Sequence, residues 1–360
     1  MKHAIILGTR PEIIKMSPVI RECARRNLDY FIVHTGQHYS YEMDRVFFED
    51  LKLPLPSYNL DVGSGSHGRQ TGKMLAGIED ILVKEKPDIV YVQGDTNTVL
   101  AGALAASKLQ IAIGHVEAGL RSFDRAMPEE TNRIVADHVS DLLFAPTADS
   151  RKLLLQEGIP EDRIFVTGNT IVDAVKSNLE IARGSDILER LHLTPKGYML
   201  STLHRQENVD DRGRLGSILV GLSKVYSEYR LPIVLPIHPR TKKNIGEFGL
   251  VIPDGIRLID PAGFMDFLML EANACMALTD SGGVQEECCI LGVPCVTLRE
   301  NTERPETVQV GANVLAGYKS DDILAAARAM TGKKSDWVNP FGDGHASGKI
   351  LDAAIDRYGK

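Results

Sequence analysis

Short apolar runs alternate along the chain with segments whose apolar residues recur at helical spacing. In the first half, the apolar runs predict strands at residues 3–7, 30–35, 88–93, 111–117, 141–145 and 164–167. The segments between them predict helices at residues 12–26, 69–85, 98–108, 129–138 and 148–157. Strands alternating with helices of these lengths imply βαβ units and a parallel sheet covered on both faces.

A second series with the same alternation follows a helix that runs from residue 170 to about residue 182. Its predicted strands are residues 198–203, 233–237, 256–259, 275–278 and 295–298, and its predicted late helices are residues 320–331 and 349–358. We therefore predict an α/β protein with two Rossmann-like domains, residues 1–169 and 170–348. The last helix, in residues 349–360, is a candidate for packing back on the first domain.

Polar side chains collect where the predicted strands end, which is where ligands bind in open α/β sheets. Those at the ends of the first sheet are Arg10, Gln37, His38, Asp95 and Glu117. Those at the ends of the second are His204, Arg205, His238, Asp280 and Ser281. If the two parallel sheets face each other across a cleft, all these side chains would line it.

The stretch Thr279 to Glu287, Thr-Asp-Ser-Gly-Gly-Val-Gln-Glu-Glu, connects a buried strand to a helix. Such a turn presents backbone N–H groups and the positive end of the helix dipole, which together bind phosphates and other anions. The alternative is a structural turn in which Ser281 only caps the helix. The local sequence leaves both interpretations open.

Three carboxylates are candidates for chemistry, and two of them also have structural explanations. Asp95 could cap the helix predicted to begin near residue 98. Glu129 follows Pro128 at a helix start, where a carboxylate suits the dipole and Arg133 could pair with it. Glu117 is harder to explain, because it ends an apolar run and would be costly if buried without a partner.

Composition excludes several classes of protein. The chain has 360 residues, more than one core usually supports, and its 43% hydrophobic and 25% charged content is ordinary for a soluble protein. A net charge of −7 argues against a nucleic-acid or anionic-membrane surface, and no apolar run is long enough to span a membrane. The five cysteines form no CxxC pair, so we expect buried free thiols and a cytoplasmic protein.

Cofactor motifs are weak. Residues 63–68 match the spacing GxGxxG, but they follow Pro54 and Pro56 far into the chain, where a loop is the better interpretation. His34 and His38 are separated by the Gly36 turn, so they are poor candidates for metal ligands. We therefore predict neither a nicotinamide cofactor nor a bound metal.

Long motifs in a fixed order closely resemble the non-hydrolysing UDP-N-acetylglucosamine 2-epimerases, nearly end to end. They include Gly8-Thr9-Arg10-Pro11-Glu12, Gln93-Gly94-Asp95-Thr96, His115-Val116-Glu117-Ala118-Gly119-Leu120-Arg121, Pro128-Glu129-Glu130, Gly168-Asn169-Thr170, Thr202-Leu203-His204-Arg205, Thr279 to Glu287, and Thr302-Glu303-Arg304-Pro305-Glu306. The resemblance implies the two-domain GT-B fold and reversible epimerisation at C2 of UDP-N-acetylglucosamine. It also implies elimination and re-addition of UDP through a 2-acetamidoglucal, no cofactor, and a homodimer.

The resemblance also implies roles for individual residues. The carboxylates Asp95, Glu117 and Glu129 would be the acid/base groups, and which serves which face of C2 stays open. His204 would act in catalysis and hold the diphosphate. The implied UDP-binding residues are Arg10, Lys15, Phe267, Ser281, Gly282, Gly283, Glu287 and Arg304, with Glu287 at the ribose and Phe267 near the uracil.

Bacterial members of this family use a second UDP-N-acetylglucosamine as an activator, in a pocket beside the substrate. The residues that match this effector pocket are Gln37, His38, Arg69, Gln70, Arg205 and His238, whereas Ser40 replaces an expected glutamine. Three other functions stay open: a GT-B glycosyltransferase with a UDP-sugar donor, a 2-epimerase for a modified UDP-sugar, and a catalytically silent UDP-sugar sensor.

Overall fold

The computed structural model describes the backbone of residues 1–37 and 41–359, and the side chains of these residues except 41–44. The chain divides into two compact units, Met1–Ser177 with Phe341–Lys360, and Asn178–Pro340. Each unit contains a parallel β-sheet with helices, so the predicted fold class is confirmed. In the part of the chain described, no helix is long and apolar enough to cross a membrane.

The sheet of the first unit has the strand order β3-β2-β1-β4-β5-β6-β7. Its strands are β1 (Lys2–Leu7), β2 (Asp29–His34), β3 (Tyr58–Asn59), β4 (Ile89–Gln93), β5 (Ala112–Val116), β6 (Leu142–Ala145) and β7 (Ile164–Val166). Its helices are α1 (Arg10–Arg25), α2 (Tyr41–Asp50), α3 (His67–Glu85), α4 (Asn97–Lys108), α5 (Pro128–Val139) and α6 (Ala148–Gln156), and α7 (Thr170–Ala182) begins in this unit and ends in the second. The central strands are buried along most of their length, as strands covered on both faces must be.

The sheet of the second unit has the strand order β10-β9-β8-β11-β12-β13. Its strands are β8 (Met199–Thr202), β9 (Ile233–Pro236), β10 (Ile256–Ile259), β11 (Met276–Thr279), β12 (Cys295–Thr297) and β13 (Asn313–Leu315). Its helices are α8 (Ile187–Arg190), α9 (Gln206–Val209), α10 (Arg212–Tyr229), α11 (Pro239–Glu247), α12 (Phe264–Asn273), α13 (Gly282–Leu291), α14 (Pro305–Gln309) and α15 (Ser320–Met330).

The final helix, α16 (Ala346–Tyr358), belongs to the first unit and packs on α1. It begins three residues before the predicted start, because a carboxylate distant in sequence caps it. Asp173 accepts hydrogen bonds from the backbone N–H groups of Ala346 (3.2 Å) and Ser347 (2.9 Å). All five cysteines are free, as predicted, and all except Cys275 are buried.

Candidate active site

Two of the candidate carboxylates follow neighbouring strands of the first sheet. Strands β4 and β5 pair in parallel, and Gln93 at the end of β4 lies opposite Val116 at the end of β5. Glu117 follows β5 directly and Asp95 follows β4 after Gly94, so the sheet brings the two loops together. This is the edge of the sheet at which open α/β folds bind their ligands.

Glu117 is buried and its backbone is left-handed. Its φ is +69° and the residue is 6% exposed. A non-glycine residue in this region costs roughly 1–3 kcal/mol and commonly marks a functional site. This conformation also ends β5 one residue earlier than predicted. The charge is compensated, because Lys15 Nζ donates to both carboxylate oxygens at 2.7 Å and the Gln93 side-chain amide donates to Oε2.

Asp95 is held by a guanidinium group. Arg133 donates to Asp95 Oδ2 from Nε (2.9 Å) and Nη2 (2.6 Å), and Asn132 Nδ2 donates to the Asp95 carbonyl at 2.9 Å. Both partners lie on α5, while Thr96 rather than Asp95 caps α4. The proposed structural role of Asp95 as a helix cap is therefore wrong.

Two adjacent glutamates at the start of α5 have different surroundings. Glu130 is buried and accepts hydrogen bonds from Arg133 Nη1 (2.8 Å) and from the backbone N–H groups of Ser122 and Phe123. Burial raises the pKa of Glu130, but these hydrogen bonds outweigh it and lower the pKa overall. Glu129 is half-buried and pairs with no side chain in the described part of the chain. The expected pairing of Glu129 with Arg133 is therefore wrong.

The turn between β1 and α1 carries Arg10 at the first helical residue. The Arg10 guanidinium lies 5.6 Å from the centre of the Phe47 ring. Glu12, in the same turn, accepts hydrogen bonds from Gly8 N (2.9 Å), Thr9 Oγ1 (2.9 Å) and Thr96 Oγ1 (2.7 Å). It joins the turn after β1 to the loop that bears Asp95. Burial outweighs these hydrogen bonds and raises the pKa of Glu12 to about 7.

The residues expected in the effector pocket differ in accessibility. Gln70 is buried, and its side chain bonds to Gln37 O (2.9 Å), Gly63 O (2.8 Å) and Asn97 Nδ2 (2.8 Å). Gln37 is also buried and accepts from Thr98 Oγ1 at 2.9 Å. Arg69 is exposed in the first turn of α3, and His38 lies outside the described residues.

In the second unit a buried aspartate organises the ends of β8 and β11. Asp280 accepts hydrogen bonds from the backbone N–H groups of His204 (3.0 Å) and Arg205 (3.0 Å). Its Oδ1 also lies 3.0 Å from His204 Nδ1, which leaves the 41% exposed His204 ring oriented by the carboxylate. The His238 ring centre is 6.3 Å from that of His204. Burial, and then His204, lower the pKa of His238.

The turn between β11 and α13 has the geometry of an anion site. Ser281 occupies the N-cap position, but its side chain makes no capping hydrogen bond. The N–H groups of Gly282 and Gly283 have no hydrogen-bond acceptor among the residues described. A Cβ added at Gly283 would meet only Ser281 Oγ, at 3.9 Å. Packing inside the protein therefore does not explain why this position is a glycine.

The helix that follows carries two buried glutamates. Glu286 pairs with Arg304 Nε at 2.7 Å, which fixes one predicted UDP contact. Glu287 is 9% exposed and lies beside the fully buried Glu271. Burial, followed by the charge of Glu287, raises the pKa of Glu271 well above its ordinary value. Phe267 is half-buried on α12 and packs against the apolar cluster of this unit.

The described residues contain no group of three or more His, Cys, Asp and Glu side chains arranged to hold a metal ion. The arrangement instead offers acid/base carboxylates with nearby cations in one unit, and unpaired backbone donors in the other. Sequence reasoning gave no role to Glu12, His115 and Asp137, and it placed Asp280 at a strand end without predicting its contacts with His204 and Arg205. Their only signal in the sequence was a polar residue within or next to an apolar run.

The fold and these groups define an α/β protein with two parallel-sheet units, carboxylates paired with cations, and a helix start whose N–H groups bond to no described residue. Comparisons with known proteins identify the family. A family model described as UDP-N-acetylglucosamine 2-epimerase matches residues 21–354. The UDP-N-acetylglucosamine 2-epimerase of Methanocaldococcus jannaschii is 56% identical, and the alignment covers 100% of both chains. The chain therefore belongs to the UDP-N-acetylglucosamine 2-epimerase family of isomerases.

A solved structure of the same relative and one further relative are informative. The crystal structure of the M. jannaschii UDP-GlcNAc 2-epimerase in complex with UDP-GlcNAc and UDP has a TM-score of 0.88 at 56% identity, covering 99% of this chain and 100% of the other. A UDP-2,3-diacetamido-2,3-dideoxy-D-glucuronate 2-epimerase of Pseudomonas aeruginosa is 44% identical, covering 98% of this chain and 99% of the relative.

Proposed function

We propose that the protein interconverts UDP-N-acetylglucosamine and UDP-N-acetylmannosamine by inverting C2 of the sugar. The observation that carries the proposal is the pair Asp95 and Glu117, which follow adjacent strands and are each held by a cation. Acid/base carboxylates held in this way suit a reaction that removes and returns a proton. Membership of the epimerase family supports the same activity.

The reaction proceeds by elimination and re-addition in this proposal. The proton at C2 has no adjacent carbonyl and is not acidic, so deprotonation alone is too slow. A carboxylate takes the C2 proton while the C1–oxygen bond to UDP breaks, and the C2–H electron pair forms the double bond of a 2-acetamidoglucal. The UDP oxygen then re-forms the bond to C1, while an acid delivers a proton to the opposite face of C2.

Asp95, Glu117 and Glu129 are the candidates for the two proton transfers. Lys15 Nζ lies 2.7 Å from Glu117 Oε1, so its positive charge offsets the negative charge of that carboxylate when Glu117 is deprotonated. The half-buried Glu129, without an ion-pair partner among the described residues, is open to substrate.

The departing diphosphate requires cations and N–H donors, which stabilise the charge that develops as C1–O breaks. His204, Arg10 and the turn Ser281-Gly282-Gly283 supply them in this proposal. Glu287 would bind the ribose hydroxyls, Phe267 would lie near the uracil, and Arg304, fixed by Glu286, would be a further contact.

One experiment tests the proposal. The purified protein is incubated with UDP-N-acetylglucosamine in D2O, without NAD or a sugar acceptor, and the sugar is followed by NMR. Epimerisation requires a mannosamine isomer that carries deuterium at C2. Unchanged substrate after long incubation would contradict the proposal and favour a UDP-sugar sensor. Transfer of the sugar only when an acceptor is added would instead identify a glycosyltransferase.

A modified UDP-sugar is the second candidate substrate. The supporting observation is that the P. aeruginosa relative named UDP-2,3-diacetamido-2,3-dideoxy-D-glucuronate 2-epimerase is 44% identical to this chain. The same assay, with UDP-2,3-diacetamido-2,3-dideoxy-D-glucuronate as a competing substrate, separates the two. We expect kcat/KM to favour UDP-N-acetylglucosamine. A higher kcat/KM for the diacetamido uronate would contradict UDP-N-acetylglucosamine as the substrate and identify the modified sugar in its place.

We also propose that a second UDP-N-acetylglucosamine activates the enzyme. Exposed Arg69 and half-buried Arg205 are the cations available for its diphosphate. Epimerisation of UDP-N-acetylmannosamine should then show a lag that added UDP-N-acetylglucosamine abolishes. Progress curves without a lag and without stimulation would contradict this activation.

A further inference from the structure

A buried histidine, His115 on β5, lies beneath the loops that carry Asp95 and Glu117. It is 1% exposed, and both ring nitrogens face oxygen atoms. Nδ1 lies 2.7 Å from Asp137 Oδ1, and Nε2 lies 2.8 Å from the carbonyl oxygen of Gly94. Gly94 immediately precedes Asp95, so the ring contacts the backbone of the catalytic loop.

When Asp137 is ionised, neither its Oδ1 nor the carbonyl oxygen of Gly94 can donate a hydrogen bond, so both act as acceptors. A neutral imidazole has one N–H and one lone pair, so one nitrogen would face an acceptor with its lone pair. A doubly protonated ring donates to both. The geometry therefore favours an imidazolium at a buried position.

The charges around the ring also balance only in that form. Arg121 Nη2 lies 2.7 Å from Asp137 Oδ2 and 2.5 Å from Glu157 Oε2, so two carboxylates accompany one guanidinium. Protonated His115 brings the cluster to two positive and two negative charges. Without that proton, a net negative charge would stay in a cluster whose His115, Asp137 and Arg121 side chains are buried and whose Glu157 is 27% exposed, which is unfavourable. Burial lowers the pKa of His115, but Asp137 and the bond to Gly94 outweigh it and raise the pKa overall.

Asp137 extends the same network to the second loop. Its Oδ2 accepts a hydrogen bond from the backbone N–H of Gly119 at 3.2 Å. Gly119 lies two residues after Glu117, whose left-handed φ of +69° requires support from its surroundings. One buried ion cluster thus contacts the backbone beside both carboxylates.

We propose that His115 is a positioning residue whose doubly protonated ring holds the Asp95 loop and, through Asp137, the Glu117 turn. This inference rests on the proposed function, since it assigns a role in that reaction. It predicts a dependence of turnover on pH. The pKa of His115 in the folded state is raised above its ordinary value of about 6.5, so the contribution of the charged ring is fully present below pH 6.5 and is lost as the pH rises through the raised pKa.

The first test requires no turnover. In ¹⁵N-labelled protein at neutral pH, both ring nitrogens of His115 should show the chemical shifts of an imidazolium, assigned by their loss in His115→Gln. The backbone amide resonances of Asp95 and Gly119 should shift in that variant, whereas His138→Gln, at an exposed position of α5, should leave them unchanged. A neutral ring, or unchanged loop resonances, would overturn the inference whether or not the protein is an epimerase.

The second test uses the epimerase assay. A displaced carboxylate can lower a rate about 100-fold, so we expect kcat of His115→Gln to fall by about 10- to 100-fold with UDP affinity little changed. The fall in wild-type kcat at alkaline pH should flatten in the variant. Asp137→Asn should reproduce the loss of kcat if His115→Gln folds poorly. A wild-type protein without activity would contradict the proposed function and leave the NMR result to decide the inference. If the wild type is active and the variants keep its kcat, the role inferred for His115 would be wrong while the proposed function would stand.

Discussion

The loops after β4 and β5 of the first sheet carry carboxylates bound by cations, whereas the turn after β11 of the second carries backbone donors that no described residue uses. Glu117 is paired with Lys15 and Asp95 with Arg133, at 2.7 and 2.6 Å. In the turn before α13, no described residue accepts from the N–H groups of Gly282 and Gly283.

The difference follows from what each region must do in the proposed reaction. Proton transfer requires a carboxylate held in position with its charge compensated, which side-chain partners provide. Binding a diphosphate that leaves and returns requires donors that are oriented but not yet bonded, which a helix start provides. Mutations in the first region should therefore reduce kcat, and those in the second should reduce affinity for UDP.

The largest expected effect is in the first region. Glu117→Gln removes a proton acceptor and the negative partner of Lys15 while keeping the shape of the side chain. We expect kcat to fall by about 10²- to 10⁴-fold, because general acid/base groups contribute about this much. UDP affinity, measured by calorimetry, should stay within about twofold of the wild-type value.

The matched control is Glu161→Gln, at a side chain that is 72% exposed and pairs with Arg151 at the surface. It should leave kcat unchanged. If Glu117→Gln weakened UDP binding as strongly as it slowed turnover, the division of labour between the two regions would be wrong.

The second prediction concerns stability and pH at Glu12, which joins the turn of Arg10 to the loop of Asp95. Burial raises the folded-state pKa from 4.5 to about 7. Because the folded state binds the proton of Glu12 more tightly than the unfolded state does, protonation stabilises the fold. This stabilisation is fully present below pH 4.5 and is lost as the pH rises to about 7. Relative to Glu12→Gln, the wild type should lose up to about 3 kcal/mol of unfolding free energy over that range.

Urea unfolding at intervals from pH 3 to about pH 8 measures this difference. Glu22 provides a control of opposite sign, because Arg25 lowers the pKa of its carboxyl to about 2. The stabilisation by Glu22 is present above pH 4.5 and lost as the pH falls towards 2, so Glu22→Gln should differ from wild type by a constant amount above pH 5. A constant difference for Glu12→Gln as well would refute a raised pKa at that site.

Local patterns predicted most elements, but not the contacts that organise the site. Strands such as β4 are buried at every residue and read as continuous apolar runs, so they were found. The edge strands β3 and β13 were missed, as were the helix α2 and the helices of the second unit other than α13 and α15; β3 has two residues and β13 three, too few for a recognisable period.

Glu117 was conspicuous because it ends an apolar run, and the roles of Asp95, Glu117 and Glu129 came from the family resemblance. The groups that hold them were missed, since their partners are distant in sequence. His115 and Asp137 are 22 residues apart, Glu12 and Thr96 are 84 apart, and Asp280 acts on a backbone N–H 76 residues away. Such pairings depend on strand order and register, which the sequence of each segment does not specify.

The third prediction moves to the second region and separates packing from ligand binding. In Gly283→Ala the added methyl group meets only Ser281 Oγ at 3.9 Å, and alanine favours a helix more than glycine does. Stability should therefore rise by up to about 1 kcal/mol. The methyl group would meet a phosphate at the helix start, so UDP affinity should fall about tenfold, or about 1.4 kcal/mol.

Thermal unfolding and UDP calorimetry on the same samples test both halves of this prediction. Gly246→Ala is the matched control, because it lies in helix α11 and its added Cβ has no neighbour within 4 Å. It should also raise stability, with UDP affinity unchanged. Equal UDP affinity in Gly283→Ala and the wild type would show that no phosphate approaches this turn.

The smallest expected effect is at Ser281, where the two interpretations of the turn disagree. A serine that caps a helix contributes about 1 kcal/mol, whereas the Ser281 side chain makes no capping hydrogen bond. The free energy of unfolding of Ser281→Ala should therefore differ from that of the wild type by less than about 0.5 kcal/mol. Loss of one hydroxyl contact to the diphosphate, at about 1 kcal/mol, should weaken UDP binding about fivefold and increase release of free 2-acetamidoglucal during turnover.

Thr147→Ala is the control for true capping, because the Thr147 side chain accepts from Ser150 N at the start of α6. It should lose about 1 kcal/mol of stability and keep its UDP affinity. The glucal released by each variant can be quantified by chromatography of quenched reactions. If Ser281→Ala behaved like Thr147→Ala, its hydroxyl would serve the helix and not the ligand, and the N–H groups of Gly282 and Gly283 would have to retain the diphosphate alone.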